Sequence, residues 1–118
     1  MFSKQVLDHF QNPRGAGELT DATARVEVSN PACGDILELA ARVADERFAE
    51  VRFLARGCVT SMACGSWLAE WLVGKTLAQA RALTPREISA ALGDLPPATF
   101  HGSQLACDAL EALLKNIR

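Results

Sequence analysis

Asp35-Ile36-Leu37-Glu38-Leu39-Ala40-Ala41-Arg42-Val43-Ala44, then Asp45-Glu46-Arg47, then Phe48-Ala49-Glu50-Val51-Arg52-Phe53-Leu54-Ala55-Arg56 is the stretch that decides the fold. In the first run Leu37, Leu39, Ala41 and Val43 fall on one side and Glu38 and Arg42 on the other. In the second, Val51, Phe53 and Ala55 oppose Glu50 and Arg52. A period of two is that of a strand with one apolar face, and the break at 45–47 is short enough for a hairpin. Residues 24–29 alternate in the same way through Arg25, Val26, Glu27 and Val28. Three neighbouring strands, each with one apolar face, predict a small antiparallel sheet covered on one side.

The rest of the chain reads as helix. Residues 3–11 form a short helix that Asn12-Pro13-Arg14-Gly15 breaks. Residues 60–73 place Cys64, Trp67, Leu68 and Trp71 at the i, i+3, i+4, i+7 spacing of one helix face, and Gly74 supplies a stop. Residues 76–82 form a shorter helix. Thr84-Pro85-Arg86-Glu87 has the form of a capping box with proline at the first helical position, opening a helix to Leu92. Gly93-Asp94-Leu95-Pro96-Pro97 is an extended connector. A last helix from Ser103 to Ile117 buries Ala106, Ala109, Leu110, Leu113 and Ile117. Strands first and helices afterwards give an α+β class, a compact sheet with helices on one face.

The 118 residues suit one domain, 1–118, which on folding buries roughly two-thirds of the unfolded chain's surface. A formal charge of −2, with Lys and Arg scattered, argues against a nucleic-acid or anionic-membrane partner, since both favour a basic field. The N-terminus, Met1-Phe2-Ser3-Lys4-Gln5, lacks the apolar run of a secretory signal, and no stretch approaches the length of a membrane span. A cytoplasmic, reducing compartment is therefore expected. There the four cysteines, Cys33, Cys58, Cys64 and Cys107, suit metal or thiol chemistry better than disulfides.

Three segments carry that chemistry, each expected at the end of a regular element. Asn30-Pro31-Ala32-Cys33-Gly34-Asp35 lies between two strands and presents a thiol and a carboxylate on a rigid corner. Gly57-Cys58-Val59-Thr60-Ser61 joins a strand to a helix, with Cys58 at the helix N-terminus, where free N–H groups and the dipole favour thiolate. Phe100-His101-Gly102-Ser103 opens the last helix with one of the two histidines. Each residue also has an ordinary structural explanation. Cys64 lies centrally on an apolar face and reads as core. Cys107 reads as a packing or exposed residue at the edge of its helix's apolar arc, and His9 as a surface or packing residue. Cys33 and Cys58 are not a C-x-x-C pair, so a sequence-local zinc knuckle is excluded.

In order and spacing these segments resemble the IscU/NifU-like scaffold family for iron–sulfur cluster assembly. Val6-Leu7-Asp8-His9-Phe10-Gln11-Asn12-Pro13-Arg14 looks like that family's N-terminal helix and its exit. Asn30 to Asp35 is similar to its first ligand loop, and Gly57-Cys58 with Ser61, Ala63 and Ser66 to its second. Gly74-Lys75-Thr76-Leu77 and Leu95-Pro96-Pro97 fall where the family has similar segments. The resemblance implies a three-stranded sheet with packed helices and a site at one end. It also implies a non-enzymatic scaffold: a cysteine desulfurase delivers sulfur, iron joins it, and a transient cluster, expected as [2Fe-2S], passes to acceptor proteins. Cys33, Asp35, Cys58 and His101 are the ligands it implies, with Asp35 keeping the cluster labile and zinc held in the same pocket in the apo form.

Two departures qualify it. The family's third cysteine directly follows the histidine, where this chain has Gly102, which has no ligating side chain. Cys107, five residues on, points about 140° away at 3.6 residues per turn and is a poor substitute. Ala98 and Thr99 stand where the chaperone-recognised form has valine and lysine after the prolines, which argues against a dedicated Hsp70-type partner. Two thiolates, an imidazole and a carboxylate still suit tetrahedral zinc or iron. A carrier of iron or a cluster is the leading expectation, as a monomer or weak homo-oligomer. The alternatives are a zinc-dependent sulfur acceptor for a desulfurase and a degenerate member with structural zinc. The first of these lacks room for an extra segment between Leu92 and His101.

Overall fold

The alternation of residues 35–56 folds as expected. In the computed structural model, which describes residues 2–30 and 34–117, β1 (Ala24–Ser29), β2 (Ile36–Ala44) and β3 (Arg47–Arg56) form one antiparallel sheet in the order β1-β2-β3. The register pairs Val28 with Leu37 and Val26 with Leu39, then Leu39 with Phe53 and Ala41 with Val51, so the apolar residues share one face. A bulge between Arg42 and Val43 re-aims the end of β2 and brings Phe48 into the core. The opposite face is polar, with Arg25 paired to Glu38 at 3.2 Å and Arg42 to Glu50 at 2.9 Å.

Among the described residues five α-helices follow the predicted order: α1 (Lys4–Gln11), α2 (Val59–Leu72), α3 (Leu77–Arg81), α4 (Pro85–Ala91) and α5 (His101–Lys115). The capping box forms as read: Glu87 N–H donates to Thr84 Oγ1 at 3.2 Å, and Thr84 N–H to Glu87 Oε1 at 3.1 Å. Helices α2 and α5 pack together on the apolar face of the sheet, and α1 lies along α2.

Helix α2 differs from the single apolar face expected of it. Cys64, Leu68 and Leu72 are buried, but so are Thr60, Ser61, Ala63, Gly65, Ser66 and Ala69, so the helix is enclosed almost all round. Trp67 and Trp71 are only partly buried and stack on one another at 5.7 Å. The last helix also differs. Pro97–Thr99 makes a turn of 3-10 helix that leads directly into α5, which starts at His101 rather than Ser103 and ends before Ile117. His101 and Gly102 thus lie inside the first turn of α5 rather than ahead of it.

Candidate metal centre

Four side chains from three elements converge on one point. Asp35 ends the loop before β2, where Asn30 N–H donates to the Asp35 carbonyl at 2.8 Å and Gly34 N–H to the Asn30 carbonyl at 2.7 Å. This turn buries the Asp35 carboxylate, leaving 4% of the residue exposed. Cys58 is the residue before α2, and its sulfur accepts the Ser61 N–H at 3.4 Å, one of the otherwise unpaired donors of that helix terminus. Ser61 lies on the same first turn, buried. His101 opens α5 and is partly exposed.

These groups meet at Asp35 Oδ2. Ser61 Oγ–H donates to it at 2.6 Å, Cys58 Sγ lies 3.4 Å away and His101 Nε2 3.3 Å away. Cys58 Sγ and His101 Nε2 are 3.7 Å apart, and one ligand atom from each of Asp35, Cys58 and His101 lies within 4.8 Å of the others. A tetrahedral ion with bonds of about 2.0–2.3 Å to nitrogen, oxygen and sulfur requires donor separations of about 3.3–3.8 Å. The observed spacings match that requirement with little movement. One sulfur, one nitrogen and one oxygen also form a donor set that suits zinc or iron.

The chain's local chemistry makes this approach possible. Gly57 has φ +141°, and a Cβ there would lie 2.1 Å from Asp35 Oδ1, so only glycine allows the strand end to pass the carboxylate. Gly102, the second residue of α5, is buried: a Cβ on it would sit 3.1 Å from Thr60 Cγ2 and 3.3 Å from Cys64 Sγ.

Of the residues expected from sequence, Asp35, Cys58 and His101 are brought together. Cys33, with Pro31 and Ala32, lies outside the described residues. Cys64 is core, fully buried, with burial pushing its thiol up to about 12 and the nearby Cys58 charge adding to the rise. Cys107 points elsewhere: its thiol faces the Leu83 carbonyl at 3.9 Å, and burial, then Asp108, pushes it up to about 12. His9 is a packing residue, its Nδ1 2.8 Å from Ser66 Oγ. Ser61 was not singled out from the sequence as a site residue, although its hydroxyl bridges Asp35 and Cys58. Its signal was available, since a serine three residues after a helix-capping cysteine returns to the same end of the helix.

Comparison with known proteins gives a consistent result. Residues 1–118 match the model of the NifU-like N terminal domain. Iron-sulfur cluster assembly scaffold protein IscU 1 of Archaeoglobus fulgidus is 41% identical over 110 residues, covering 93% of this chain and 72% of the relative. The scaffold protein IscU of Escherichia coli is 37% identical over 121 residues, covering 99% and 94%. The N-terminal part of a NifU-like protein from Brucella abortus superposes with a TM-score of 0.81 at 19% identity, covering 97% of this chain and 92% of that one, a likeness of fold.

Proposed function

Because the chain belongs to the family of NifU-like N-terminal domains, we propose that it is an iron–sulfur cluster assembly scaffold that gathers iron and sulfide at one site and hands them on. The observation that carries this reading is the convergence of Asp35, Cys58 and His101 at the spacing a tetrahedral ion needs. Relatives named as scaffolds favour it over the zinc-dependent sulfur acceptor and over a degenerate structural-zinc protein.

In this reading residues 1–118 are one domain that works as a carrier rather than as an enzyme. Cys58 and Cys33 bind through thiolate and His101 through imidazole. Asp35 adds a hard oxygen that exchanges more readily at iron than sulfur does. Ser61 donates to Asp35 Oδ2 and so fixes which way the carboxylate faces. The cargo is iron with sulfide, held as a [2Fe-2S] cluster, and zinc takes the same donors when iron is absent. A cysteine desulfurase supplies the sulfur, and cluster-requiring proteins of the cytoplasm receive the product. Among the described residues no helix is long and apolar enough to cross a membrane.

The test is anaerobic loading with ferrous iron and sulfide, followed by transfer to an apo-ferredoxin. The wild type is expected to take up iron and acid-labile sulfide together and to release both. Asp35→Ala is expected to release its cluster several-fold more slowly. Uptake of metal without sulfide would overturn the scaffold reading, and identical release rates would remove Asp35 from its assigned role.

A further inference from the structure

Resting on that scaffold reading, we propose that Cys64 supplies the cluster ligand that position 102 lacks, reaching the cargo from α2 instead of from α5. Gly102 lies against the first two turns of α2, where the ideal Cβ position is 3.3 Å from Cys64 Sγ, 3.1 Å from Thr60 Cγ2 and 3.4 Å from the Ser61 nitrogen. A thiol is therefore already next to the missing side chain, on the neighbouring helix. Cys64 follows Ser61 by three residues, and residues so spaced share a helix face. Ser61 touches both Asp35 and Cys58, so Cys64 lies one turn deeper along the wall that carries the site.

A second observation marks the same place. Thr60 is fully buried, and its Oγ1 has no hydrogen-bond partner among the described residues. A buried hydroxyl left unpaired is costly and uncommon. Thr60 walls the notch beside Gly102 through Cγ2, 3.1 Å from that Cβ position, so the residue that carries the unpaired Oγ1 borders the place where Cys64 lies.

The geometry also says which cargo needs Cys64. Its sulfur is not among the donors within 4.8 Å of one another, so a single ion held by Asp35, Cys58 and His101 does not reach it. A two-iron cluster distributes its ligands over two metals, and the second iron extends the reach. On ligation iron replaces the proton of the Cys64 thiol, the proton leaves to solvent, and no electron moves. Cys64 is thus a ligand for the cluster and a packing residue for everything else.

The experiment loads wild type, Cys64→Ala, Gly102→Cys and the double variant Cys64→Ala/Gly102→Cys with ferrous iron and sulfide. It reads iron and acid-labile sulfide per chain, and titrates each protein with cobalt(II) alone. Cys64→Ala is expected to lose about tenfold or more in iron and sulfide retained, the scale on which metal sites respond to lost support, while its cobalt affinity stays at the wild-type value. Relocating the sulfur in the double variant is expected to restore loading. Cys64→Ser, closer in volume and a weak ligand, is expected to lose the cluster as Cys64→Ala does, with far-ultraviolet circular dichroism confirming the fold of each variant. Wild-type loading by folded Cys64→Ala or Cys64→Ser overturns the proposal and leaves the scaffold reading standing. A wild type that binds cobalt but takes up no iron with sulfide overturns the scaffold reading, and the proposal with it.

Discussion

Helix α2 carries a polar cluster at each end, and the two are built from similar parts. Near its C-terminal half Ser66 faces His9 and Arg14, and Glu70 meets both of those partners; at its N-terminus Ser61 and Cys58 face Asp35 and His101. In the first cluster most donors meet acceptors, with only Arg14 Nη1 buried and unpaired among the described residues. Arg14 N–H donates to Ser66 Oγ at 2.8 Å, Ser66 Oγ pairs with His9 Nδ1 at 2.8 Å, and Arg14 meets Glu70 at 3.5 Å and Asp8 at 2.7 Å. In the second, a thiol, an imidazole and a hydroxyl crowd onto a single carboxylate oxygen. Matched polar groups hold elements together; an accumulation of lone pairs and potential negative charge calls for a cation. One end of α2 fastens α1, and the other is arranged to bind.

The largest test of that difference is Cys58→Ala. Its cobalt(II) affinity should fall by about 100-fold or more, with little change in the urea midpoint. Comparable losses of affinity and stability would mean the binding end is structural after all. Ser66→Ala should do the reverse: two buried groups lose their partner, which costs about 1–3 kcal/mol in urea unfolding, and cobalt affinity stays put. A third test uses pH. Burial, with Arg14 adding, holds His9 below its ordinary value of 6.5. Between the folded and unfolded values the unfolded chain binds more protons, so stability is full above 6.5 and declines as pH falls through and below it. Urea midpoints at pH 7.5 and 5.5 should differ more for wild type than for His9→Gln, and equal differences would sever His9 from the effect. The smallest change is expected for Asp8→Asn, where an exposed partner of Arg14 is lost: its melting temperature should fall less than that of Ser66→Ala.

The sheet was legible because alternation with a period of two survives in three short runs, and the register follows from it. The Thr84 capping box was legible because its chemistry is local. Helix α2 was misread for a physical reason: a helix packed on all sides does not need a clean stripe, and small residues such as Ser61, Ala63 and Ser66 are buried with no apolar signal. The start of α5 was placed two residues late, since Phe100 provides no side-chain cap and the preceding prolines suggest an extended chain. The binding set was read residue by residue, yet its convergence was not. Asp35, Cys58 and His101 are far apart in sequence, and only the resemblance brought them to one place. The Ser66–His9 pair, spanning 57 positions, left no local trace.

The separation of these donors along the chain has a mechanical consequence. They come from the loop before β2, the cap of α2 and the first turn of α5, so whatever binds all three pins the start of the last helix to the sheet. Opening that helix then requires releasing the cargo first, and the opening free energy rises with ligand as RT ln(1 + [L]/Kd). Empty and loaded forms thereby differ in how readily α5 frays, so protease cleavage or amide exchange near residue 101 becomes a gauge of loading. A partner that grips a loosened α5 would meet the empty carrier and pass over the full one.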